Sequence, residues 1–159
     1  MNTNRDLNYR LYIQREEHFQ RTSFDREFNH YHAVSAGNVE QVKRNYNDVI
    51  KVNFQNGKGV LSDDPLRNVR YHFVIATAMT SRICIMDGMN HDVAYTLSDI
   101  YIRKVDKCND CNEIIEILGE MFLDFAERMR EMKKSNATSI HIRRCIDYIY
   151  EHLSDKITV

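Results

Sequence analysis

Few residues in this chain have the types and spacing that do chemistry. Cys108-Asn109-Asp110-Cys111 is a C-x-x-C, the spacing two thiolates use to share a zinc ion or to form a redox pair. Zinc wants about four ligands, and neither a second C-x-x-C nor a closely spaced histidine pair follows. His30 and His32 stand at i, i+2, which puts them on different faces of a helix. His91 and His141 join the thiols only if the tertiary fold brings them there. A thioredoxin-type motif would need a preceding strand, and none reads here. The plain reading is two partly exposed thiols flanking a helix start. The alternative is a metal or thiol sensor, since a thiolate at a helix N-terminus has a lowered pKa. We expect no bound metal and no cofactor.

A second polar group lies inside apolar helical stretches. Arg82 and Asp99 each interrupt a run that should be packed, and buried charges survive when paired and hydrogen-bonded. The simpler expectation is a structural bridge between neighbouring helices. The functional one is a polar anchor for a small-molecule effector, held in a cavity between helices and walled by Tyr71, His72, Tyr95 and Tyr101. The tripeptide Gly57-Lys58-Gly59 lacks the rest of a phosphate-loop pattern and a preceding strand. There is no G-x-S-x-G and no H-E-x-x-H, so no catalytic residue is assigned and an enzyme is the least expected class.

The elements that must position these residues are helices. Residues 63–88 carry the clearest signals. Asp63 and Asp64 offer caps, Pro65 suits a first helical position, and Gly88 suits a left-handed close. Leu66, Val69, Phe73, Ala76, Thr80, Ile83 and Cys84 recur at helical spacing, thickened by Ile75, Met79 and Met86. This helix is expected at the centre of the fold. Arg67, Arg70, His72 and Arg82 break any membrane-length apolar run. Upstream, Ser23 caps a helix over 23–36 with Phe24, Phe28, Tyr31 and Val34 on one side. Gly37-Asn38 turns it into a second helix, with Val39, Val42, Tyr46, Val49 and Ile50, to about residue 52. An ankyrin-like reading of this hairpin fails for want of a second copy. Residues 53–62 read as a loop.

After Asn90, residues 91–107 form a helix with Val93, Leu97, Ile100, Tyr101 and Val105 on one face. Asp110 and Glu113 form a capping-box-like pair that opens a long helix to about residue 134. Its Met- and Phe-rich stripe (Ile114, Leu118, Met121, Phe122, Phe125, Met129, Met132) is core or, alternatively, a dimer face. Residues 135–139 read as a polar linker. A last helix over 140–153 carries Ile142, Cys145, Ile146, Ile149 and Leu153.

The whole has 159 residues and a net charge of -1, enough for one core and no global pull toward nucleic acid or membrane. Five Gly, one Pro and no Trp argue against a sandwich or barrel. The fold class is therefore all-α, a bundle of about five to six helices around a central buried helix. Four cysteines are too few for a disulfide framework. With a polar N-terminus that does not read as a signal peptide, the expected setting is the cytoplasm.

The C-terminal stretch IRRCIDYIYEHLSDKITV resembles the first helix of the DNA-binding domain in AraC/XylS-type bacterial transcription regulators. The residues that carry the likeness are Ile146, Tyr148, Ile149, His152, Leu153, Ile157, Thr158 and Val159. The middle is similar to the helical N-terminal region of some members of that family, through LSDDPLRN at 61–68, Thr80-Ser81-Arg82, Gly88, AYTLSDIYI at 94–102 and MFLDFAERMRE at 121–131. The likeness spans residues 24–159.

The resemblance implies a division into a poorly defined segment at 1–22, a helical regulatory domain at 23–134, a linker at 135–139, and the start of a helix-turn-helix domain at 140–159. It also implies partners: operator DNA through a C-terminal reader absent from this chain, a homodimer, and a small-molecule effector. Both recognition helices are missing, so no DNA-binding residue is assigned; Arg143 and Arg144 read as a solvated face. The rival expectation is a standalone helical adaptor that binds another protein.

Overall fold

A computed structural model describes residues 3–19, 23–51 and 59–151. Among these there is no strand, and six α-helices follow one another. They are α1 (Thr3–Glu16), α2 (Phe24–Ser35), α3 (Val39–Asn45), α4 (Pro65–Met86), α5 (His91–Asp106) and α6 (Cys111–Glu151). The all-α class expected from composition is what forms. No helix among the described residues is long and apolar enough to cross a membrane.

The caps form where the sequence places them. Ser23, Asn38, Asp64, Asn90 and Asp110 each accept a backbone N–H in the first turn of the following helix. Pro65 takes the first helical position of α4, and Gly88 closes that helix with φ +101°.

The centre of the bundle is α6, not α4. Ile114, Ile115, Leu118, Met121, Phe122, Phe125, Ala126 and Met129 of α6 are all buried, and this half touches α2, α3, α4 and α5. The Met and Phe stripe is thus core, which removes it as a dimer face. The reason lies in the charges. Arg67 and Arg82 hold one side of α4 in water, so α4 buries only Phe73, Ala76, Thr77, Thr80, Ser81, Ile83 and Cys84. Ile75 and Met86, expected to thicken its buried stripe, are exposed, Met86 by 83%. In α5 the inward face is shifted in the same way. Ala94, Leu97, Ser98 and Val105 are buried, while Val93 and Ile100 face out.

Two glycines set how closely α2, α3 and α6 approach. Gly37 (φ +74°) turns α2 into α3, and a Cβ there would stand 2.7 Å from the backbone N of Arg130. Gly119 leaves a hole in α6 that the Tyr46 ring fills; a Cβ would meet its Cζ at 2.7 Å. The Tyr46 hydroxyl donates to the Ile115 carbonyl at 2.6 Å. Tyr46 also begins a single π-helical stretch, Tyr46–Ile50, where one continuous helix to about residue 52 was expected. Val52 and loop residues 53–58 lie outside the described residues.

At the C-terminal side, the break expected over 135–139 is helical, and α6 runs unbroken from Cys111 to Glu151. Ser135, Asn136, Ala137, Thr138 and Ser139 include neither Gly nor Pro, and each disfavours a helix by at most ~0.7 kcal/mol. That is too little to stop an established helix. Beyond Met132 the described side chains are exposed, including Ile140 and Ile142 at 50% and 55%. His152, Leu153, Ile157, Thr158 and Val159, and the side chains of Arg143, Ile146 and Ile149, lie outside the described residues. The segment expected to be poorly defined holds α1, which buries no residue.

The two glycine turns are unequal. Gly37→Ala combines a left-handed φ with a backbone clash and should cost about 3 kcal/mol. Gly88→Ala meets only the Met132 Cε at 3.7 Å and should cost about 1 kcal/mol from φ alone. Urea titrations followed by helical circular dichroism will read the difference; equal losses would show that the Gly37–Arg130 approach does not matter.

Candidate functional site

The six residues expected around an effector do not converge. Arg82 and Asp99 are both exposed, so no buried bridge forms between them. The Arg82 Nη1 donates to the Ala78 carbonyl at 3.1 Å, and its guanidinium lies over the Tyr95 ring, 5.8 Å from the centroid. Tyr95 also meets His91 edge-on at 6.5 Å. This is an open surface group on α4 and α5, with no walls. Exposed charges need no partner, which is why the pairing argument fails here. Tyr71 is exposed on α4.

His72 and Tyr101 tie the fold together instead. The His72 Nε2 donates to the Gly59 carbonyl at 2.7 Å, since a carbonyl only accepts. This pins the chain ahead of α4. The Tyr101 hydroxyl donates to Asp124 Oδ2 at 3.2 Å, and Asp124 Oδ1 accepts from Arg128 Nε at 2.7 Å. That chain joins α5 to α6. Burial, with the Asp124 charge beside it, pushes the Tyr101 phenol up. A further tie was not anticipated: the half-buried Arg70 donates through Nη2 to the Cys108 carbonyl, capping the end of α5 from α4.

The two thiols of the C-x-x-C are unlike each other. Cys108 is buried, its Sγ donating to the Lys104 carbonyl at 3.4 Å, and Cys111 is half-buried. Cys108 closes α5 rather than opening α6. Desolvation and the Glu113 carboxylate push its thiol up, the opposite of an activated thiolate. Among the described residues no group of three or more His, Cys, Asp or Glu could hold a metal ion. Cys84, buried on α4, is pushed up to about 12 by burial and by Asp87.

A polar recess lies elsewhere, between α2 and α3. Its described lining is Arg26, Asn29, His30, Gln41, Asn45 and Ile50, around a volume of ≈480 Å³. His30 forms the inner wall; it is only 2% exposed and sets its ring edge-on to Phe122 at 4.3 Å. On the α3 side, Arg44 Nη2 donates to Gln41 Oε1 at 2.9 Å, and Gln41 Nε2 donates to Asn45 Oδ1 at 2.6 Å. The sequence holds one clue to this recess that apolar periodicity passes over. His30 falls one turn before Val34, on the inward side of α2.

No protein-family model, curated protein or solved structure matches the chain. Its own geometry therefore has to carry any reading.

Two measurements check these environments. Alkylation of the native protein at neutral pH, mapped by peptide mass, should label exposed Cys145 first and spare Cys84 and Cys108 until urea unfolds the bundle. Early labelling of Cys108 would restore the thiol-sensor reading. The second concerns Tyr46, pushed up from 10.0 to about 12 by burial and then by Glu116 and Glu120. A phenol harder to ionise in the folded state stabilises fully below its unfolded pKa, and that stability is lost as pH climbs through the folded value. The urea midpoint should fall between pH 10.0 and about 12. The fall should be shallower in Tyr46→Phe, which starts about 1 kcal/mol less stable for want of the hydrogen bond to Ile115. An identical slope would clear Tyr46 of any part in it.

Proposed function

We propose that this chain is the regulatory region of an AraC/XylS-type transcription regulator, working in the cytoplasm and coupled through α6 to a DNA-reading domain. The observation that carries the reading is the dual character of α6. Its first half is the core of the bundle, and its continuation past Met132 runs on as helix with Ile140 and Ile142 in water. Ile140 and Ile142 stand two residues apart, on different sides of the helix, and a docked domain would give one or other of them cover. This overhang is the stretch whose sequence resembles the first helix of the AraC/XylS DNA-binding domain.

The mechanism follows from rigidity. A helix rises 1.5 Å per residue and does not bend freely without Gly, Pro or an inserted group. Any shift in how the bundle grips α6 is then passed to whatever packs on the overhang. An effector that favours one grip over another biases how the reader is presented to operator DNA. A homodimer placing two readers on paired half-sites belongs to the same reading, on a surface other than the Met and Phe stripe.

A second reading rests on the same exposed isoleucines and on α1, where Leu7, Leu11 and Tyr12 are also exposed. These suit a helical adaptor that binds another protein and never touches DNA.

The intact mass of the natural gene product separates the two. The regulator reading expects a product heavier than 18.9 kDa by roughly one small domain. That product should select a defined sequence from a random DNA pool, while residues 1–159 alone select none. A natural product of this chain's own mass, or a longer one without sequence preference, would give the reading up in favour of the adaptor.

A further inference from the structure

We propose that the recess between α2 and α3 is a binding site for a small organic carboxylate. The argument rests on which hydrogen-bonding capacity is already spent there. Arg44 has donors only, so the Gln41 side chain must turn its oxygen toward it. The Gln41 nitrogen then points along the helix face, and Asn45 answers with its own oxygen at 2.6 Å. Both amide oxygens of this ladder are thereby engaged. The hydrogens left over, one on Gln41 Nε2 and both on Asn45 Nδ2, meet no acceptor among the described residues.

Across from them stand Arg26 and Asn29 of α2. Neither side chain makes a hydrogen bond or ion pair among the described residues. The described lining holds no carboxylate. The recess therefore presents a guanidinium and several amide N–H groups with nothing acidic to balance them, an acceptor-seeking arrangement. A guanidinium fork matches a carboxylate in plane and in spacing. Ile50 adds an apolar patch to the lining for a short carbon chain or ring. A volume of ≈480 Å³ is in the range of small-ligand pockets. The α3 side is followed at once by the π-helical stretch Tyr46–Ile50, a departure that recurs at functional sites. Nothing in this recess was marked by the residues expected to bind an effector.

The proposal deepens the regulatory reading by giving an effector a place and a chemistry. Its test uses this chain without DNA, so failure here leaves DNA selection by the natural product untouched, and the converse also holds. A panel of short mono- and dicarboxylates, with the matching alcohols and inorganic phosphate, would be titrated into isotope-labelled protein to about 10 mM, above the ~1 mM dissociation constants of weak fragment-sized ligands. The amide signals of residues 26–30 and 41–50 should shift with at least one carboxylate and with none of its alcohol counterparts. Arg26→Ala should weaken that binding by about tenfold, and Asn29→Ala should weaken it too. Neither side chain has a hydrogen-bond or ion-pair partner among the described residues, so both variants should keep the parent unfolding midpoint. No carboxylate-specific shift in these segments would overturn the proposal. So would binding unchanged by Arg26→Ala, or phosphate binding in place of every carboxylate.

Discussion

Gly37 seats the backbone of the α2–α3 turn directly on the backbone of Arg130, and Gly119 opens a slot in α6 for the Tyr46 ring. Both contacts are possible only because a hydrogen stands where a side chain would. If either is lengthened, the α2–α3 hairpin must lift off α6. What then comes into water is Val34, Val42 and Phe122, all at most 2% exposed now. Each such side chain contributes roughly 1.5–3 kcal/mol when fully buried. A small domain has ~5–15 kcal/mol in all. The hairpin is thus either fully seated or lost, and the recess between its helices exists only in the seated state.

The local irregularity begins at the residue that makes this contact. The hydroxyl is fixed on the Ile115 carbonyl and the start of α3 is fixed by the Asn38 cap. The chain between them is regular α3, and the π turn follows from Tyr46 to Ile50. That turn sets Ile50 at the edge of the recess, while Gln41 and Asn45 stay on regular α3 and keep the i, i+4 spacing their amide ladder needs. One aromatic anchor therefore fixes both the packed side of the hairpin and its polar side.

Much of this fold was legible because it is written locally. The caps at Ser23, Asn38, Asp64, Asn90 and Asp110, and the closing Gly37 and Gly88, depend only on neighbours a few residues away. The choice of central helix was not local. Apolar stripes on α4 and α6 look alike in sequence, and what separates them is which polar faces the other helices leave in water. The 135–139 stretch misled for a related reason: polar residues mark a loop only when accompanied by a real breaker. The candidate site was the least legible part. Arg82 and Asp99 were singled out as charges within apolar runs, yet a helix turns such residues outward at no cost. The recess residues are ordinary Asn, Gln and Arg that become notable only when two helices face each other. The likeness in residues 140–159 is carried by sequence alone, with α6 supplying only a continuous helix beneath its first half.

That continuity has a thermodynamic side. A helix as short as the overhang would be marginal in water by itself, because the first turn costs far more than each later one. In this chain the bundle supplies the nucleus, and the overhang only propagates it. Its weakest links are the residues of lowest helix propensity, Ser135, Asn136, Thr138 and Ser139, which sit directly beyond the last packed turn. Loosening the grip on α6 removes the nucleus and frays the overhang from that point outward. Tightening it does the reverse. Order in the exposed half of α6 is therefore tied to order in the bundle through the helix itself. Any partner that needs residues 140–151 helical senses the bundle through that single element.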